Sequence, residues 1–227
     1  PKGFAIPSGL DYIHYTSNNT IFGTQMKAFP KADSLMVCDM SSDIFSRQMD
    51  YSAFDLIYAG AQKNLGPAGA TLVVVRKDIL GKSGRYIPTM FDYPTHIKGE
   101  SMYNTPPVFS LYVSLLTLRW MDAQGGLSEM ERRANARAAA LYGEIDRNPL
   151  FVGTAATEDR SPMNACFLLH DEAAHKDTFD ALAKEAGLVG LAGHRSVGGY
   201  RASMYNALEQ SSVDALVDVM REVERRA

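Results

Sequence analysis

The stretch from Asp55 to Gly69 constrains this chain most. A short apolar run, Leu56 to Ala61, reads as a buried strand and leads directly to Lys63. The loop that follows holds Gly66, Pro67 and Gly69, a composition that makes a tight turn and excludes a helix. A second apolar run, Ala70 to Val75, leaves the loop and ends on Arg76-Lys77-Asp78. Strand, lysine, Gly/Pro loop and strand together hold one amine at the end of a sheet with little freedom to move. Taken alone, Lys63 reads as a solvated lysine in a hairpin loop, where most lysines are found. A carboxylate upstream and arginines downstream give it another reading.

Two more strands precede it. Tyr12 to Thr16 runs into Ser17-Asn18-Asn19-Thr20, four small polar residues at a strand's carboxyl end. Ligands bind there in open α/β sheets, although a plain turn has the same composition. Ser34 to Met40 carries Asp39 near its end, followed by Ser41-Ser42-Asp43. An acid in that place is either a helix N-cap or a charge with an assigned partner. Three strands thus each end on one polar group: Thr20, Asp39 and Lys63. Pyridoxal phosphate needs that set. A lysine holds its aldehyde and moves protons, a carboxylate keeps the pyridine nitrogen protonated, and a hydroxyl suits the ring oxygen.

Composition leaves room for such an enzyme. The chain is 227 residues long, 46% hydrophobic and 22% charged, enough for one large domain or two modest ones. A net charge of −3 offers no electrostatic footprint for nucleic acid, and no basic block suggests a membrane surface. No apolar stretch is long enough to span a bilayer, and a cytoplasmic location is expected. Cys38 and Cys166 lie in apolar runs without motif spacing, so free buried thiols are expected.

Four segments carry a family resemblance: Tyr15-Thr16-Ser17-Asn18-Asn19-Thr20-Ile21, Cys38-Asp39-Met40-Ser41-Ser42, Tyr58-Ala59-Gly60-Ala61-Gln62-Lys63-Asn64 and Gly193-His194-Arg195. They resemble the phosphoserine aminotransferases, class V members of the fold-type I pyridoxal-phosphate enzymes. The likeness runs from about residue 10 to the end. It implies an α/β fold: part of a large mixed-sheet cofactor domain over residues 1–130, then a small α+β domain over 131–227. It also implies reversible transamination, interconverting 3-phosphohydroxypyruvate plus glutamate with O-phosphoserine plus 2-oxoglutarate, in serine and pyridoxine biosynthesis. By that resemblance Lys63 is the Schiff-base lysine, Asp39 the pyridinium partner, Thr20 a cofactor contact and Gln62 a contact of the cofactor phosphate. Asn104 and Thr105 would reach the cofactor phosphate of the other subunit, which implies a homodimer with shared active sites.

The remainder fits this plan. Val108 to Met121 reads as a mostly buried helix containing Trp120 as core, stopped by Gly125-Gly126. Ser128 to Arg147 has helical composition, and its run Glu129, Glu131, Arg132, Arg133, Arg137 reads as a solvated face. In the second domain, strands over 164–170 and 199–205 and helices over 176–186 and 213–225 are expected. Val213, Leu216, Val217, Met220 and Val223 share one apolar face. Helices over an antiparallel sheet follow. His170, Asp171 and His175 have no recognised ligand spacing, so no metal is expected.

Gly193-His194-Arg195-Ser196-Val197-Gly198-Gly199-Tyr200-Arg201 reads as an anion site. Guanidinium forks match carboxylate and phosphate oxygens, and glycines allow close backbone approach. The alternative is a surface turn with incidental arginines. Arg201 enters an apolar strand, where an arginine needs a partner. By resemblance His194 and Arg195 hold the substrate phosphate and Arg201 the α-carboxylate.

The family's amino-terminal part has no counterpart here, including its phosphate turn, the aromatic residue stacked on the ring and a substrate arginine. The chain, which starts Pro1-Lys2-Gly3, is therefore expected to be a fragment and to hold the cofactor weakly by itself. Two other readings stand beside this one: a class V aminotransferase for another small amino acid, and an inactive fragment kept for subunit association. A cysteine desulfurase is disfavoured, because neither cysteine lies in a mobile Gly/Ser loop.

Overall fold

The structure is a computed structural model that describes residues 4–227; the opening Pro1-Lys2-Gly3 lies outside the described residues. Alternation of burial builds its first half. Strands β1 (Tyr12–Thr16), β2 (Asn18–Asn19), β3 (Thr24–Gln25), β4 (Leu35–Asp39), β5 (Leu56–Gly60) and β6 (Thr71–Val75) follow one another. Four of them form a sheet in the order β1-β4-β5-β6. β1 and β5 flank β4 in parallel, and β6 returns antiparallel to β5, so the sheet is mixed as expected. β2 and β3 make a separate antiparallel pair.

Successive side chains on a strand point to opposite faces. One face of the sheet carries Tyr15, Met36, Cys38, Ile57 and Ala59, all buried with Met40, Ile44, Phe54 and Leu65 in a first hydrophobic core. The other face carries His14, Asp39 and Tyr58, none of them buried. The β5–β6 pairing runs from Leu56 opposite Val75 to Gly60 opposite Thr71, and the Lys63 loop closes it. Gly69 in that loop has a φ of 119°, which a side chain rarely adopts.

Three helices follow: α1 (Tyr93–Lys98), α2 (Val108–Ala123) and α3 (Gly126–Arg147). Gly125, at φ 112°, makes the sharp break between α2 and α3. The expected burial of α2 is not observed. Ser110 and Met121 are buried, whereas Val108, Phe109 and Tyr112 are 67, 71 and 58% exposed. The helix is apolar all round, so packing on the Lys63 loop and α3 covers one side and leaves the others open. Trp120 is half-buried and not a core residue. Arg137 departs from the solvated face as well: it is 1% exposed, and its guanidinium donates to the carbonyls of Leu208 (2.8 Å) and Met204 (3.3 Å). An arginine survives burial only with such acceptors, and the chain that supplies them lies far along the sequence.

The second half is β7 (Phe151–Gly153), β8 (Asn164–Leu169), α4 (Glu172–Glu185), β9 (Tyr200–Ser203) and α5 (Gln210–Arg226). The three strands form an antiparallel sheet, β7-β8-β9, under helices, as the sequence predicts. β7 was not anticipated, being too short to show periodicity. Phe151, Phe167, Phe179 and Tyr200 pack edge to face and stacked at its centre. Leu141 and Ile145 of α3 close this second core, with Val213, Leu216, Val217, Met220 and Val223 of α5 all buried. Each such side chain contributes about 1.5–3 kcal/mol by leaving water. Residue 131, the expected start of the small domain, lies within α3, whose later turns face this core. Asp171 caps α4, accepting from the Ala174 N–H at 3.0 Å.

Candidate active site

Asp39 and Lys63 stand at the carboxyl ends of neighbouring strands. β4 and β5 pair in parallel with Asp39 opposite Tyr58, so both chains leave the sheet on the same edge. Asp39 Oδ1 accepts from the Ser41 N–H at 2.8 Å and so caps a turn, not a helix. Beyond β5 the chain winds through a tight turn in which the Leu65 and Gly66 N–H groups both donate to the Ala61 carbonyl. Gln62 is exposed and folds back over Gly60, where a Cβ would collide with the Gln62 amide. Lys63, in the middle of the turn, is half-buried.

The electrostatics tie Lys63 to residues remote in sequence. Burial pushes its ammonium below the ordinary lysine range, and the positive charge of Arg201 pushes the same way. Asp39 and Asp43 oppose the shift without cancelling it. Lys63 is thus held below its ordinary proton affinity beside a cationic neighbour. Asp43 is itself 2% exposed, and burial raises its carboxyl against the pull of its donors Ser17, Gln25 (3.2 Å) and Arg47 (3.4 Å).

Arg201 of β9 crosses from the second core to the first. Its Nη1 donates to the Thr20 carbonyl at 3.3 Å, while its buried Nε has no hydrogen-bond partner among the described residues. An orphaned guanidinium N–H beside a half-buried lysine suits a carboxylate. Thr20 sits in a turn held by the Asn19 side chain, which accepts from the N–H groups of Ile21 (3.0 Å) and Phe22 (3.1 Å).

The 193–199 loop folds onto itself. The Gly193 N–H donates to the Gly199 carbonyl at 2.8 Å, and those of Val197 and Gly198 to the His194 carbonyl. Gly199, at φ 60°, lies so close to Phe167 and Leu168 that no side chain fits. His194 Nδ1 accepts from the Ser196 N–H (3.3 Å) and pairs with its hydroxyl (2.7 Å), which assigns the ring proton to Nε2. Arg195 is exposed. Asn104 and Thr105 are exposed too, and the Asn104 amide donates to the Thr105 carbonyl at 3.2 Å. No hydrogen bond among the described residues joins either of them to Lys63, Asp39 or Arg201.

Sequence reasoning missed the seam that brings the two halves together. Asn64, directly after Lys63, donates to the Ile44 carbonyl (3.1 Å) and accepts from the Asn206 N–H (3.1 Å). Asn206 returns a bond to the Phe45 carbonyl (2.9 Å). Asn18 donates to Asn164 (2.9 Å) and Ser42 (2.9 Å) and pairs with Ser161. These side chains are all buried; the Asn64–Asn206, Asn206–Phe45, Asn18–Asn164 and Asn18–Ser161 links join the first half to the second, and those to Ile44 and Ser42 anchor the asparagines within the first. Asn18 and Asn64 border the predicted site residues, which was the one signal available. Both cysteines are free and buried, as expected, and burial pushes the Cys38 thiol up to about 12.

The model of the aminotransferase class V family matches residues 5–216. The chain belongs to the class V aminotransferases. Among curated relatives, the phosphoserine aminotransferase of Flavobacterium johnsoniae is 64% identical over 226 residues, which cover 100% of this chain and 63% of the relative. That of Parabacteroides distasonis is 58% identical over 227 residues, 100% of this chain and 64% of the relative. The chain therefore spans under two thirds of the length of these relatives. Among solved structures, a phosphoserine aminotransferase of Bacillus circulans matches with a TM-score of 0.90 at 45% identity, over 95% of this chain and 60% of that one. A pyridoxal-phosphate-bound phosphoserine aminotransferase of Trichomonas vaginalis also gives 0.90, at 36% identity, over 96% and 62%. The class V fold, a mixed sheet with a small α+β unit after it, is the architecture described above.

Proposed function

We propose that this class V chain carries the lysine-bearing site of a pyridoxal-phosphate-dependent aminotransferase that exchanges amino groups between phosphoserine and 2-oxoglutarate. The observation that carries the reading is the convergence of Lys63, Asp39 and Arg201 from three distant segments, with the lysine held below its ordinary proton affinity. Relatives with more than half their residues identical bear the name phosphoserine aminotransferase, which favours that substrate. The donor set fits the cofactor: a half-buried amine, a carboxylate at a neighbouring strand end and an orphaned guanidinium N–H.

When bound, pyridoxal phosphate supplies an aldehyde for amine exchange and a ring that accepts electrons from Cα. The chain's residues do the rest. Lys63 would hold the aldehyde until the amine substrate arrives and would then take the Cα proton at Nζ. Its lowered proton affinity leaves more neutral amine for both tasks near neutral pH. Asp39 would pair with the ring nitrogen, Thr20 and Gln62 would hold the ring and its phosphate, and Arg201 would take the α-carboxylate with its Nε–H. His194, with its proton on Nε2, and Arg195 take the distal phosphate. The same cationic rim accepts the distal carboxylate of glutamate. Asn104 and Thr105 are assigned to the cofactor phosphate of a second subunit, making the protein a homodimer with shared sites. Residues 1–130 belong to the cofactor domain and 131–227 to the small domain, in a cytoplasmic enzyme of serine and pyridoxine biosynthesis. No helix among the described residues is long and apolar enough to cross a membrane.

The deciding experiment is borohydride reduction of the protein saturated with pyridoxal phosphate, followed by peptide mapping. The cofactor should be fixed on the peptide containing Lys63 and be lost in Lys63→Ala. No label, or a label on another lysine, would refute the reading. For specificity, Arg195→Ala should reduce kcat/KM for phosphoserine by about 10- to 100-fold, the loss of one charge-assisted contact, with cofactor affinity unchanged. An equal loss of both would remove Arg195 from the phosphate site.

A further inference from the structure

The less buried face of the sheet holds a polar chain that the assignments above do not use. His14 on β1, Asp39 on β4 and Tyr58 on β5 all point to this face, opposite to the buried Tyr15, Cys38 and Ile57. Tyr58 lies directly across the β4–β5 pair from Asp39. His14 reaches over β4 from two residues earlier in register, opposite Val37, and its Nε2 lies 3.0 Å from the Tyr58 hydroxyl. The two rings are 5.8 Å apart and tilted by 32°, and they meet through their polar atoms.

We propose that His14 and Tyr58 are positioning residues that hold the Asp39 carboxylate in place for a cationic ring nitrogen. The inference rests on the assignment of Asp39 made above. A phenol has one proton, and a carboxylate can only accept. With Tyr58 across the strand pair from Asp39 and on its face, the phenol proton would go to that carboxylate, and His14 would then donate from Nε2 to the phenol oxygen. The bonds run in one direction, from imidazole to phenol to carboxylate, and each polarises the next. Backbone support for the same carboxylate comes from the Ser41 N–H on Oδ1, so a donor on either side fixes the plane of the group and leaves a lone pair free.

The proton affinity of Tyr58 agrees with this arrangement. Burial raises the phenol first, and the Asp39 carboxylate raises it further, both by its charge and as a hydrogen-bond acceptor. The Tyr93 phenol on α1 and, from the opposite face of β4, the Cys38 thiol act in the same direction. A tyrosine merely lying on the surface would have no such dependence on one carboxylate.

The test has a readout that needs no cofactor. The chain is labelled at tyrosine Cζ with carbon-13, and Tyr58 is assigned by its disappearance in Tyr58→Phe. Asp39→Asn keeps an acceptor for the Ser41 N–H and removes the charge. It should lower the Tyr58 titration midpoint by roughly one pH unit or more, the usual effect of a charge within a few ångströms. His14→Leu removes the donor to the phenol oxygen and should raise the midpoint, whereas His14→Gln, which retains an N–H, should restore it. A Tyr58 midpoint indifferent to Asp39→Asn overturns the proposal. In the cofactor-loaded protein, Tyr58→Phe should weaken pyridoxal phosphate about ten-fold without loss of melting temperature, as removal of one hydrogen bond to a charged group does. Unchanged affinity overturns the proposal as well. If the wild-type protein takes up no cofactor, the functional reading fails and the tyrosine titration alone decides this one.

Discussion

Lys63 shows how one residue's chemistry depends on its surroundings. Its proton affinity is lowered by burial first and by Arg201 next. The folded amine then loses its proton at a lower pH than the unfolded one, so the unfolded state binds more protons in between. Stability should rise with pH across that window, up to the ordinary value of 10.5. Lys63→Met, which removes the buried charge, should therefore be more stable than wild type in urea denaturation at pH 7. The difference should shrink as pH approaches 10.5. A variant less stable at every pH would mean that Lys63 is held by packing and not strained by burial.

Elements are stabilised by features a short window of sequence contains. Asp171 looked like part of a metal cluster only because histidines stand beside it; its oxygen in fact accepts from Ala174 and begins α4. Among the described residues no three or more histidine, cysteine or acidic side chains come together as a set of metal ligands. Asp171→Ala should lower stability by about 1 kcal/mol in chemical denaturation, the usual contribution of an N-cap. Met220 lies at the centre of the apolar face of α5 and is fully buried. Met220→Ala should cost about 2–5 kcal/mol, transfer and cavity terms together. The contrast with α2 is instructive: it has a higher apolar content than α5 but no single covered face, so the expected helix forms and the expected burial does not follow.

At the scale of the molecule, two apolar cores meet through asparagines. Asn64 couples the lysine loop to Asn206 and to Ile44, and Asn18 couples the Thr20 turn to Asn164. Truncation of Asn64 leaves a buried carbonyl and a buried N–H without partners, at about 1–3 kcal/mol each. Asn64→Ala should then uncouple the halves: a single calorimetric transition in the wild type should broaden or split in the variant. A transition shifted but still sharp would show that the cores are joined by other contacts. Because Arg201 reaches Thr20 across the same seam, this coupling also fixes the distance between amine and guanidinium.

The sequence by itself determined the periodic and local features. The strands around Lys63, the burial of Cys38, the face of α5 and the glycine break after α2 were all legible, because each depends on neighbours within a few residues. The candidate residues Lys63, Asp39, Thr20 and Arg201 were legible too, as polar groups at strand ends or entering apolar runs. Only the tertiary structure decided that Arg137 is buried, that α2 is largely exposed, that Asn18 and Asn64 tie two cores together and that His14 meets Tyr58. Each of these depends on a partner tens of residues away or on whether any surface comes to cover a face. Local pattern records the period of a segment, whereas burial and pairing belong to whatever the fold brings against it.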